Sequence, residues 1–288
     1  MPRRLAIILG PTAVGKTDFS VRKAIECGSP VISCDSRQIY KEMSIGTAVP
    51  DKETLSAVKH HFIQTVPVTS PYTAGDYERD ALALIGRLFD EGHDTLVMTG
   101  GSMFYIDAVC GGLDDLPYGD PALRASLWER VRAEGAESLA EDLKGLDPLT
   151  YSRIDRKNSQ RVVRAMEVCL VSGRPLSSFK ATGTRKRNFE IEKIGLERPR
   201  EELYSRIDRR VLRMIDEGLE DEVRSLLPYR GLQALQTVGY KEMFDHIDGR
   251  ISLDETIRLI QRNTRHYAKR QMTWWRRDNT IKWVKPID

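Results

Sequence analysis

The sequence predicts an α/β fold: a parallel sheet flanked by helices, as in phosphate-loop NTPases, with an all-helical insertion domain. Apolar runs of strand length alternate with amphipathic helical stretches in two parts of the chain. The first apolar run, residues 5–9, leads into a glycine-rich loop and a helix. Between the two parts, the chain has no strong apolar strand and is rich in Arg, Glu, Ala and Leu. These observations predict a core domain of residues 1–113 and 193–288 and a helical insertion of residues 114–192.

The glycine-rich loop matches the phosphate-loop pattern G-x-x-x-x-G-K-[ST]. Its glycines allow a tight concave turn in which successive backbone N–H groups point at an anion, and the following helix adds the positive end of its dipole. The lysine brings an ammonium group to the outer phosphate, and the hydroxyl of Thr17 is placed to bind Mg²⁺. The pattern predicts phosphate or diphosphate binding by Gly10, Thr12, Ala13, Val14, Gly15, Lys16 and Thr17.

Asp35 follows the second predicted strand, residues 30–34. Ligands of open parallel sheets lie beyond the carboxyl ends of the strands, so Asp35 is expected near the phosphate loop. A carboxylate there could bind Mg²⁺ indirectly, hold a substrate group or accept a proton. A helix N-cap is the structural alternative for this residue.

A third strand is predicted over residues 94–99, after an amphipathic helix over residues 73–91. It ends in Gly100-Gly101-Ser102, where the two glycines allow close approach of the backbone to a ligand. A phosphate-loop ATPase usually ends a neighbouring strand with an acidic residue that holds the water shell of magnesium. This strand has no such residue, which disfavours ATP hydrolysis unless Asp35 serves the metal.

Helical periodicity and stop signals predict three helices in the insertion, over residues 121–134, 138–144 and 158–172. Basic residues surround the start of the third helix: Arg153, Arg156, Lys157, Arg161 and Arg164. The core then resumes with a strand over 190–196, helices over 201–216, 220–227 and 254–272, and a last strand over 281–284.

The C-terminal region is basic and aromatic. From Arg258 to Lys285, nine Lys or Arg accompany one acid, Asp278. Four of these cations recur at steps of four, three and four, which puts them on one helix face that fits a phosphate backbone. They are Arg258, Arg262, Arg265 and Lys269. Tyrosine and tryptophan among these charges predict a nucleic-acid partner.

The composition is that of a globular protein, with a formal net charge of +3 and no apolar run long enough to span a bilayer. The chain enters its first predicted strand directly after Met1-Pro2-Arg3-Arg4. We therefore expect no signal peptide and a cytoplasmic location. We also expect a monomer with no membrane partner.

Three classes of function remain open from the residues alone. A phosphate-loop kinase or NTPase acting on a small molecule is the most common function of such a loop. A transferase that holds a diphosphate in the loop and acts on RNA accounts better for the missing acidic residue and the basic C-terminal region. A non-catalytic RNA-binding module ranks third, because the loop would then have no role.

The motifs resemble those of bacterial tRNA dimethylallyltransferases (tRNA isopentenyltransferases) in the same order over nearly the full length. The matching stretches are Gly10-Pro11-Thr12-Ala13-Val14-Gly15-Lys16-Thr17, Asp35-Ser36-Arg37-Gln38-Ile39-Tyr40, Ile45-Gly46-Thr47-Ala48, Gly100-Gly101 and residues 158–168, 236–242 and 269–276. Members of this family transfer the dimethylallyl group from dimethylallyl diphosphate to N6 of adenosine 37, beside the anticodon, and release diphosphate. The resemblance implies the same reaction here, with tRNA and dimethylallyl diphosphate as partners and Mg²⁺ as cofactor.

The resemblance also implies roles for single residues. The loop from Thr12 to Thr17 would hold the diphosphate of the donor instead of ATP, with Mg²⁺ on Thr17 and Lys16 against the leaving charge. Asp35 would accept the N6 proton. Ser102 would be a third catalytic residue. The family usually has Gly-Gly-Thr-Gly-Leu-Tyr at residues 100–105, and Ser102 keeps the hydroxyl of the threonine. Met103 stands where the family has the third glycine. The implied tRNA-binding residues are Asp35, Ser36, Arg37, Gln38, Ser102, Arg124, Gln160, Arg161, Val162, Val163, Arg164, Gly239, Tyr240 and Arg270.

An adenylate isopentenyltransferase, which prenylates free AMP, ADP or ATP, is the alternative within the resemblance. It shares the phosphate loop and the aspartate. A free nucleotide would not need the basic insertion with Arg161 and Arg164, nor the basic C-terminal region. The sequence therefore predicts tRNA as the acceptor.

Overall fold

The computed structural model describes residues 3–179 and 185–286. The chain divides into two compact units: Gly112–Arg185 forms the insertion unit, and the rest forms the core unit. The insertion therefore ends earlier than the predicted limit at residue 192. The physical reason is that Glu190–Leu196 is one continuous strand paired with the first strand of the core, and a boundary at 192 would cut through it.

The order of elements bears out the predicted fold class. The core unit begins with β1 (Arg4–Leu9), α1 (Lys16–Cys27), β2 (Val31–Ser33), α2 (Lys52–Ala57), β3 (His60–His61), α3 (Ala74–Asp90), β4 (Thr95–Gly100) and α4 (Met103–Gly111). The insertion unit contains α5 (Pro121–Glu134), α6 (Ala136–Leu146), α7 (Pro148–Tyr151) and α8 (Ser159–Ser172). The core resumes with β5 (Glu190–Leu196), α9 (Arg200–Asp216), α10 (Leu219–Ser225), α11 (Tyr240–Ile247), α12 (Leu253–Trp275) and β6 (Lys282–Val284).

The sequence did not predict α2, α4 and α7. Helices α2 and α7 are short, with six and four residues, so helical periodicity has little length over which to appear. Helix α4 is apolar on most sides because it is packed into the core, and such a helix lacks the polar face that marks an amphipathic one.

The sheet has six parallel strands in the order β3-β2-β4-β1-β5-β6. In the central strand β1, Leu5, Ile7 and Leu9 pack on one face, and Ile8 packs on the other against α1 and α9. Both faces are thus buried, as in other parallel sheets. Because the strands all run the same way, their carboxyl ends lie along one edge of the sheet. That edge brings together the segments that follow β1, β2 and β4.

Helices α9 and α12 pack together through polar contacts as well as apolar ones. Nη1 of Arg265 on α12 donates to both carboxylate oxygens of Asp208 on α9, at 2.7 and 2.9 Å. Arg258 binds Glu255 on its own helix. Two of the four cations in the predicted basic face therefore bind carboxylates of the protein, which offset part of their charge, and the fit of this face to a phosphate backbone stays a prediction.

The insertion unit has its own apolar core, which includes Leu127 of α5, Leu139 of α6 and Met166 of α8. Asp147, between α6 and α7, accepts hydrogen bonds from the backbone N–H and the hydroxyl of both Thr150 and Ser177, at 2.6–3.0 Å. Burial opposes the charge of Asp147, but these hydrogen bonds outweigh it and hold the pKa of the carboxyl below its ordinary value.

No helix in the described part of the chain is both long enough and apolar enough to cross a membrane.

Candidate active site

The phosphate loop connects β1 to α1 at the carboxyl edge of the sheet. The ammonium group of Lys16 donates to the carbonyl oxygens of Gly10 and Pro11, both at 2.9 Å. The backbone N–H groups of Gly15, Lys16 and Thr17 lie at the start of α1, where a helix has no carbonyl partners of its own for them. The loop therefore presents amide dipoles and an ammonium group to the same cleft, which suits an anion.

Burial of Lys16 in the cleft lowers the pKa of its ammonium group. Burial, followed by the neighbouring charge of Arg210, lowers the pKa of Lys16 to about 8, while Asp35 and Cys34 act in the opposite direction. The protonated form of Lys16 is therefore destabilised in the cleft, and Lys16 loses its proton as the pH rises through about 8. An anion in the loop would favour the cationic form and raise this pKa again.

Four arginines of α9 line the same cleft, which encloses about 430 Å³. They are Arg206, Arg209, Arg210 and Arg213. Nε of Arg206 donates to the carbonyl of Ala13 at 2.9 Å. Burial, with the nearby charges of Arg213 and Arg206, lowers the pKa of Arg210. Such a concentration of positive charge suits a ligand with several negative charges.

Sequence reasoning missed these arginines. The signal was present in the pattern R-x-x-R-R-x-x-R, since steps of three and four place all of its arginines on one side of a helix. The helix was predicted, but its basic face was not connected to the phosphate loop. The two are far apart in the chain, since Ala13 and Arg206 are separated by 193 residues.

Gln271 of α12 joins the phosphate loop to the end of β4. Its side-chain oxygen accepts from the N–H of Thr12 at 2.9 Å, and its amide group donates to the carbonyl of Gly101 at 2.8 Å. A Cβ on residue 101 would lie 2.5 Å from the amide nitrogen of Gln271, so any larger residue here would displace the Gln271 amide. The hydroxyl of Tyr267 also donates to Gly101, at 3.2 Å. The sequence did not indicate that Gln271 or Tyr267 would reach the phosphate loop or the end of β4.

Asp35 caps the turn that follows β2. Its Oδ1 accepts from the N–H groups of Arg37 and Gln38, at 2.9 and 3.3 Å. The N-cap alternative was therefore correct about the capping geometry, although the capped segment is a turn and no helix begins there. The side chain of Asp35 also lines the phosphate cleft.

Ser102 supports this turn from β4. Its hydroxyl oxygen accepts from the N–H of Ser36 at 2.8 Å, and its hydroxyl donates to the Ser36 hydroxyl at 3.0 Å. Ser102 is buried and lines neither of the two clefts that contain Asp35. Ser102 therefore positions the turn in this structure, and its catalytic and tRNA-binding roles stay predictions. Met103 opens α4 without a positive φ, so the missing glycine causes no backbone strain.

Asp35 lies at the junction of two clefts. The phosphate cleft is one, and the second, of about 480 Å³, is the acceptor cleft of the next sections. Both are lined by Asp35, Thr12, Thr47, Ala48, Arg210 and Tyr267. The acceptor cleft alone is lined by Ser36, Arg37, Gly239, Lys241 and Arg270, among others. A group bound in one cleft can therefore meet a group bound in the other beside the carboxylate of Asp35.

Four predicted tRNA-binding residues line the acceptor cleft without lining the phosphate cleft: Ser36, Arg37, Gly239 and Arg270. Gln38 lines the phosphate cleft instead. Tyr240 is fully buried, and its hydroxyl donates to Glu222 at 2.6 Å. A contact between the Tyr240 side chain and tRNA was therefore a wrong expectation, because the ring is enclosed in the core.

In the insertion unit, Gln160 and Arg161 are exposed in the first turn of α8. Val162 and Val163 face the apolar core of the unit, so their side chains cannot contact RNA, and that part of the prediction was wrong. The error arises because consecutive helical residues point in different directions.

Arg124 and Arg164 both bind Oε2 of the buried Glu167, at 2.8 and 2.7 Å. The other carboxylate oxygen of Glu167 has no partner among the described residues. Both arginines still expose more than a third of their side chains, at 47% and 37%. Their surfaces remain accessible, but Glu167 already offsets part of their charge.

A magnesium site at Thr17 is compatible with these residues. Within residues 3–179 and 185–286, no group of three or more His, Cys, Asp and Glu could hold a metal ion. Mg²⁺ commonly keeps several waters and takes its remaining ligands from substrate phosphates, so one protein hydroxyl at the phosphate loop suits it. Thr17 and Asp35 both line the phosphate cleft.

The chain is similar to known proteins over nearly its full length. Residues 38–278 match the family model for IPP transferases. A tRNA dimethylallyltransferase 2 of Porphyromonas gingivalis is 51% identical, over 98% of this chain and 94% of the relative, and a tRNA dimethylallyltransferase 1 of Bacteroides thetaiotaomicron is 46% identical, over 98% and 91%. The crystal structure of a full-length tRNA isopentenylpyrophosphate transferase from Bacillus halodurans is 36% identical and superimposes with a TM-score of 0.72, over 98% of this chain and 90% of that one. The resemblance read from the motifs is thereby confirmed, and the chain belongs to the IPP transferase family.

Proposed function

We propose that this protein is a tRNA dimethylallyltransferase, which transfers a dimethylallyl group from dimethylallyl diphosphate to N6 of adenosine 37 in tRNA and releases diphosphate. The observation that carries the proposal is the position of Asp35 at the junction of the phosphate cleft and the acceptor cleft. The names of the relatives support the choice of tRNA and of the dimethylallyl group.

In the proposed reaction, N6 of the adenine attacks C1 of the dimethylallyl group as the bond from C1 to the diphosphate oxygen breaks. An exocyclic adenine amine is a poor nucleophile, so removal of its proton during attack raises its reactivity. Asp35 accepts that proton on Oδ2, while Oδ1 keeps its hydrogen bonds to the turn. The products are the N6-prenylated nucleoside, diphosphate and a proton on Asp35, which passes to water.

Stabilisation of the leaving diphosphate is the second requirement. The amides of the phosphate loop, the ammonium of Lys16 and the arginines of α9 are fixed around one cleft before any charge develops. Preorganised donors of this kind commonly supply a large part of catalysis. Thr17 would hold Mg²⁺ together with oxygens of the diphosphate, and the bound ion would neutralise part of the leaving charge.

The acceptor cleft suits an unpaired nucleotide. Arg37 and Arg270 offer cations for phosphates, and the Arg270 guanidinium lies 5.8 Å from the centroid of the Tyr267 ring. The target base must leave its stack to reach Asp35, which costs a few kcal/mol and is cheapest in a single-stranded loop. An anticodon loop provides such a base.

Transfer to free AMP and phosphoryl transfer from ATP are the competing functions. Strand β4 ends in Thr99-Gly100 and is followed by Gly101, with no acidic residue for a magnesium water shell. That pattern supports a diphosphate-leaving transferase over a kinase.

A transfer assay tests the proposal directly. The full chain with Mg²⁺ and radiolabelled dimethylallyl diphosphate is incubated with unmodified tRNA or with AMP, and ATP hydrolysis is followed in parallel. We expect label on tRNA alone, at adenosine 37. Label on AMP alone, or ATP turnover without transfer, would overturn the proposal.

A further inference from the structure

A loop that has no regular secondary structure forms a wall of both clefts. Thr47 and Ala48, named here the shared wall, line the phosphate cleft and the acceptor cleft alike. Ala48 has a φ of 53°, a left-handed conformation that a residue with a side chain adopts only when its surroundings hold it there. The contacts that hold this loop therefore matter to the shape of both clefts.

The strongest of these contacts comes from α10, far along the chain. The carboxylate of Glu222 accepts the N–H groups of three consecutive loop residues: Ser44 at 2.9 Å, Ile45 at 2.7 Å and Gly46 at 3.0 Å. It also accepts the hydroxyl of Tyr240 at 2.6 Å. Two donors bind each carboxylate oxygen, so Glu222 fixes the direction of three peptide groups immediately before the shared wall.

The loop also lies directly on the ring of Tyr240. A Cβ on residue 46 would lie 2.6–2.8 Å from ring and hydroxyl atoms of Tyr240, so only glycine permits this approach. Tyr240 is itself fully buried and cannot retreat. Glu222, Tyr240 and the backbone of residues 44–46 thus form one interlocked unit, which we name the Glu222 clasp.

The shared wall is connected in turn to Asp35. The side-chain amide of Gln38 donates to the carbonyls of Thr47 and Ala48, at 3.1 and 2.8 Å. The backbone N–H of Gln38 donates to Oδ1 of Asp35. Glu222 itself lines neither cleft. A chain of hydrogen bonds therefore runs from α10, through the loop and Gln38, to the carboxylate at the junction.

We propose that Glu222 is a positioning residue for the transfer reaction: it holds the shared wall and, through Gln38, the turn of Asp35 in the arrangement in which the two clefts meet. The proposal rests on the transferase function proposed above. It predicts that loss of the clasp lowers turnover without loss of anion binding, because the hydrogen bonds of Glu222 in the described structure go to residues 44–46 and Tyr240 and not to the phosphate loop or the α9 arginines.

The test uses Glu222→Gln, in which an amide nitrogen replaces an acceptor oxygen and faces N–H donors. Hydrogen exchange of residues 43–49 should accelerate, because their amides lose a partner. Turnover of tRNA should fall roughly 10- to 100-fold, as expected for a small misplacement of reacting groups. The dissociation constant of inorganic diphosphate should not change. The matched control is Glu220→Gln on the same helix, whose carboxylate binds the exposed Arg224 and the half-buried His246 in the described structure.

Gly46→Ala should also release the loop of residues 44–46 from the clasp, because the added methyl group displaces the loop from Tyr240. It leaves the side chain of Glu222 intact. It serves in place of Glu222→Gln if that variant does not fold. Faster exchange with normal turnover would overturn the positioning role, and unchanged exchange in both variants would overturn the clasp itself. Inactivity of the wild-type chain in the transfer assay would count against the proposed function. The clasp would still be testable, because hydrogen exchange and diphosphate binding do not depend on transfer.

Discussion

Asp35 uses its two carboxylate oxygens differently. Oδ1 is occupied by the N–H groups of Arg37 and Gln38. Oδ2 has no hydrogen-bond partner in the described part of the chain and remains available to a substrate. One side chain therefore fixes its own turn and can still accept a proton, so the two roles can be separated by mutation.

Asp35→Asn should retain the turn and lose transfer. The asparagine oxygen can replace Oδ1, whereas its NH₂ group cannot accept the N6 proton. We expect turnover to fall by about 10²- to 10⁴-fold, the range of general base catalysis, with little change in Tm. Single-turnover transfer and thermal unfolding measure the two effects. The matched control is Asp51→Asn, which caps the start of α2 with a similar geometry. Near-normal turnover in Asp35→Asn would remove Asp35 as the base.

Asp147 should make the insertion unit sensitive to acid. Its folded-state pKa lies below the ordinary value of 3.8 because four hydrogen bonds favour the charged form over the cost of burial. The stability it contributes is therefore present above pH 3.8 and is lost as the pH falls through the folded-state pKa.

Asp147→Asn should lower the free energy of unfolding by about 1–3 kcal/mol at pH 7, because an amide cannot accept from all four donors. Thermal unfolding of both proteins from pH 7 down to pH 3 should show the difference shrinking below pH 3.8. Asp155→Asn, an exposed turn residue of the same unit, serves as the control. A stability difference between the two proteins that stays constant from pH 7 to pH 3 would contradict the lowered pKa of Asp147.

At the scale of elements, α9 and α12 complete a site that the sheet begins. The sheet supplies the phosphate loop and Asp35, α9 supplies cations, and α12 supplies Gln271 and Tyr267. Gln271 is the most constrained of these contacts, because each end of its amide binds a different backbone segment. It is buried, so its loss leaves the N–H of Thr12 without that partner.

Gln271→Ala should loosen the phosphate loop. An unsatisfied backbone N–H costs about 1–3 kcal/mol, so we expect the dissociation constant of diphosphate to rise roughly tenfold. Titration calorimetry with diphosphate measures this. Gln261→Ala, on the same helix but bonded to the carbonyl of Asp208, should bind diphosphate normally. Equal affinity in both variants would show that α12 does not hold the loop.

At the scale of the whole molecule, the two core segments that flank the insertion in sequence lie next to each other. Within the core unit, the guanidinium of Arg187 donates to the carbonyls of Ala108 and Val109, both at 2.8 Å. The chain segments on either side of the insertion are therefore held together by the core itself. All of the residues that line the two clefts belong to the core unit.

Replacement of residues 112–185 by a short Gly-Ser linker should leave a folded core that binds diphosphate. Its affinity for tRNA should fall and depend less steeply on salt, because the phosphate contacts predicted for Arg161 and its neighbours would be removed. Filter binding at several salt concentrations measures this, with Lys16→Met in the same shortened chain as the control for diphosphate binding. Full tRNA affinity in the shortened chain would contradict a role of the insertion in binding.

Local sequence patterns predicted most of the longer elements and the first half of the site. Apolar runs, helical periodicity and the phosphate-loop motif depend on neighbours within a few residues, and these local constraints located the strands of residues 4–9 and 190–196 and the helix of residues 121–134. Parallel strands also brought Lys16 and Asp35 to the same edge of the sheet, as predicted.

Only the tertiary structure decided which side chains complete the site and which are enclosed. Gln271 reaches Thr12 across 259 residues, and Glu222 reaches Gly46 across 176, so no local pattern could indicate either contact. Val162 and Tyr240 lie within family motifs, yet packing buries both. The physical reason is that a sequence pattern specifies the backbone state of a segment, whereas the partner of a polar group is chosen by whatever the folded chain brings within about 3 Å of it.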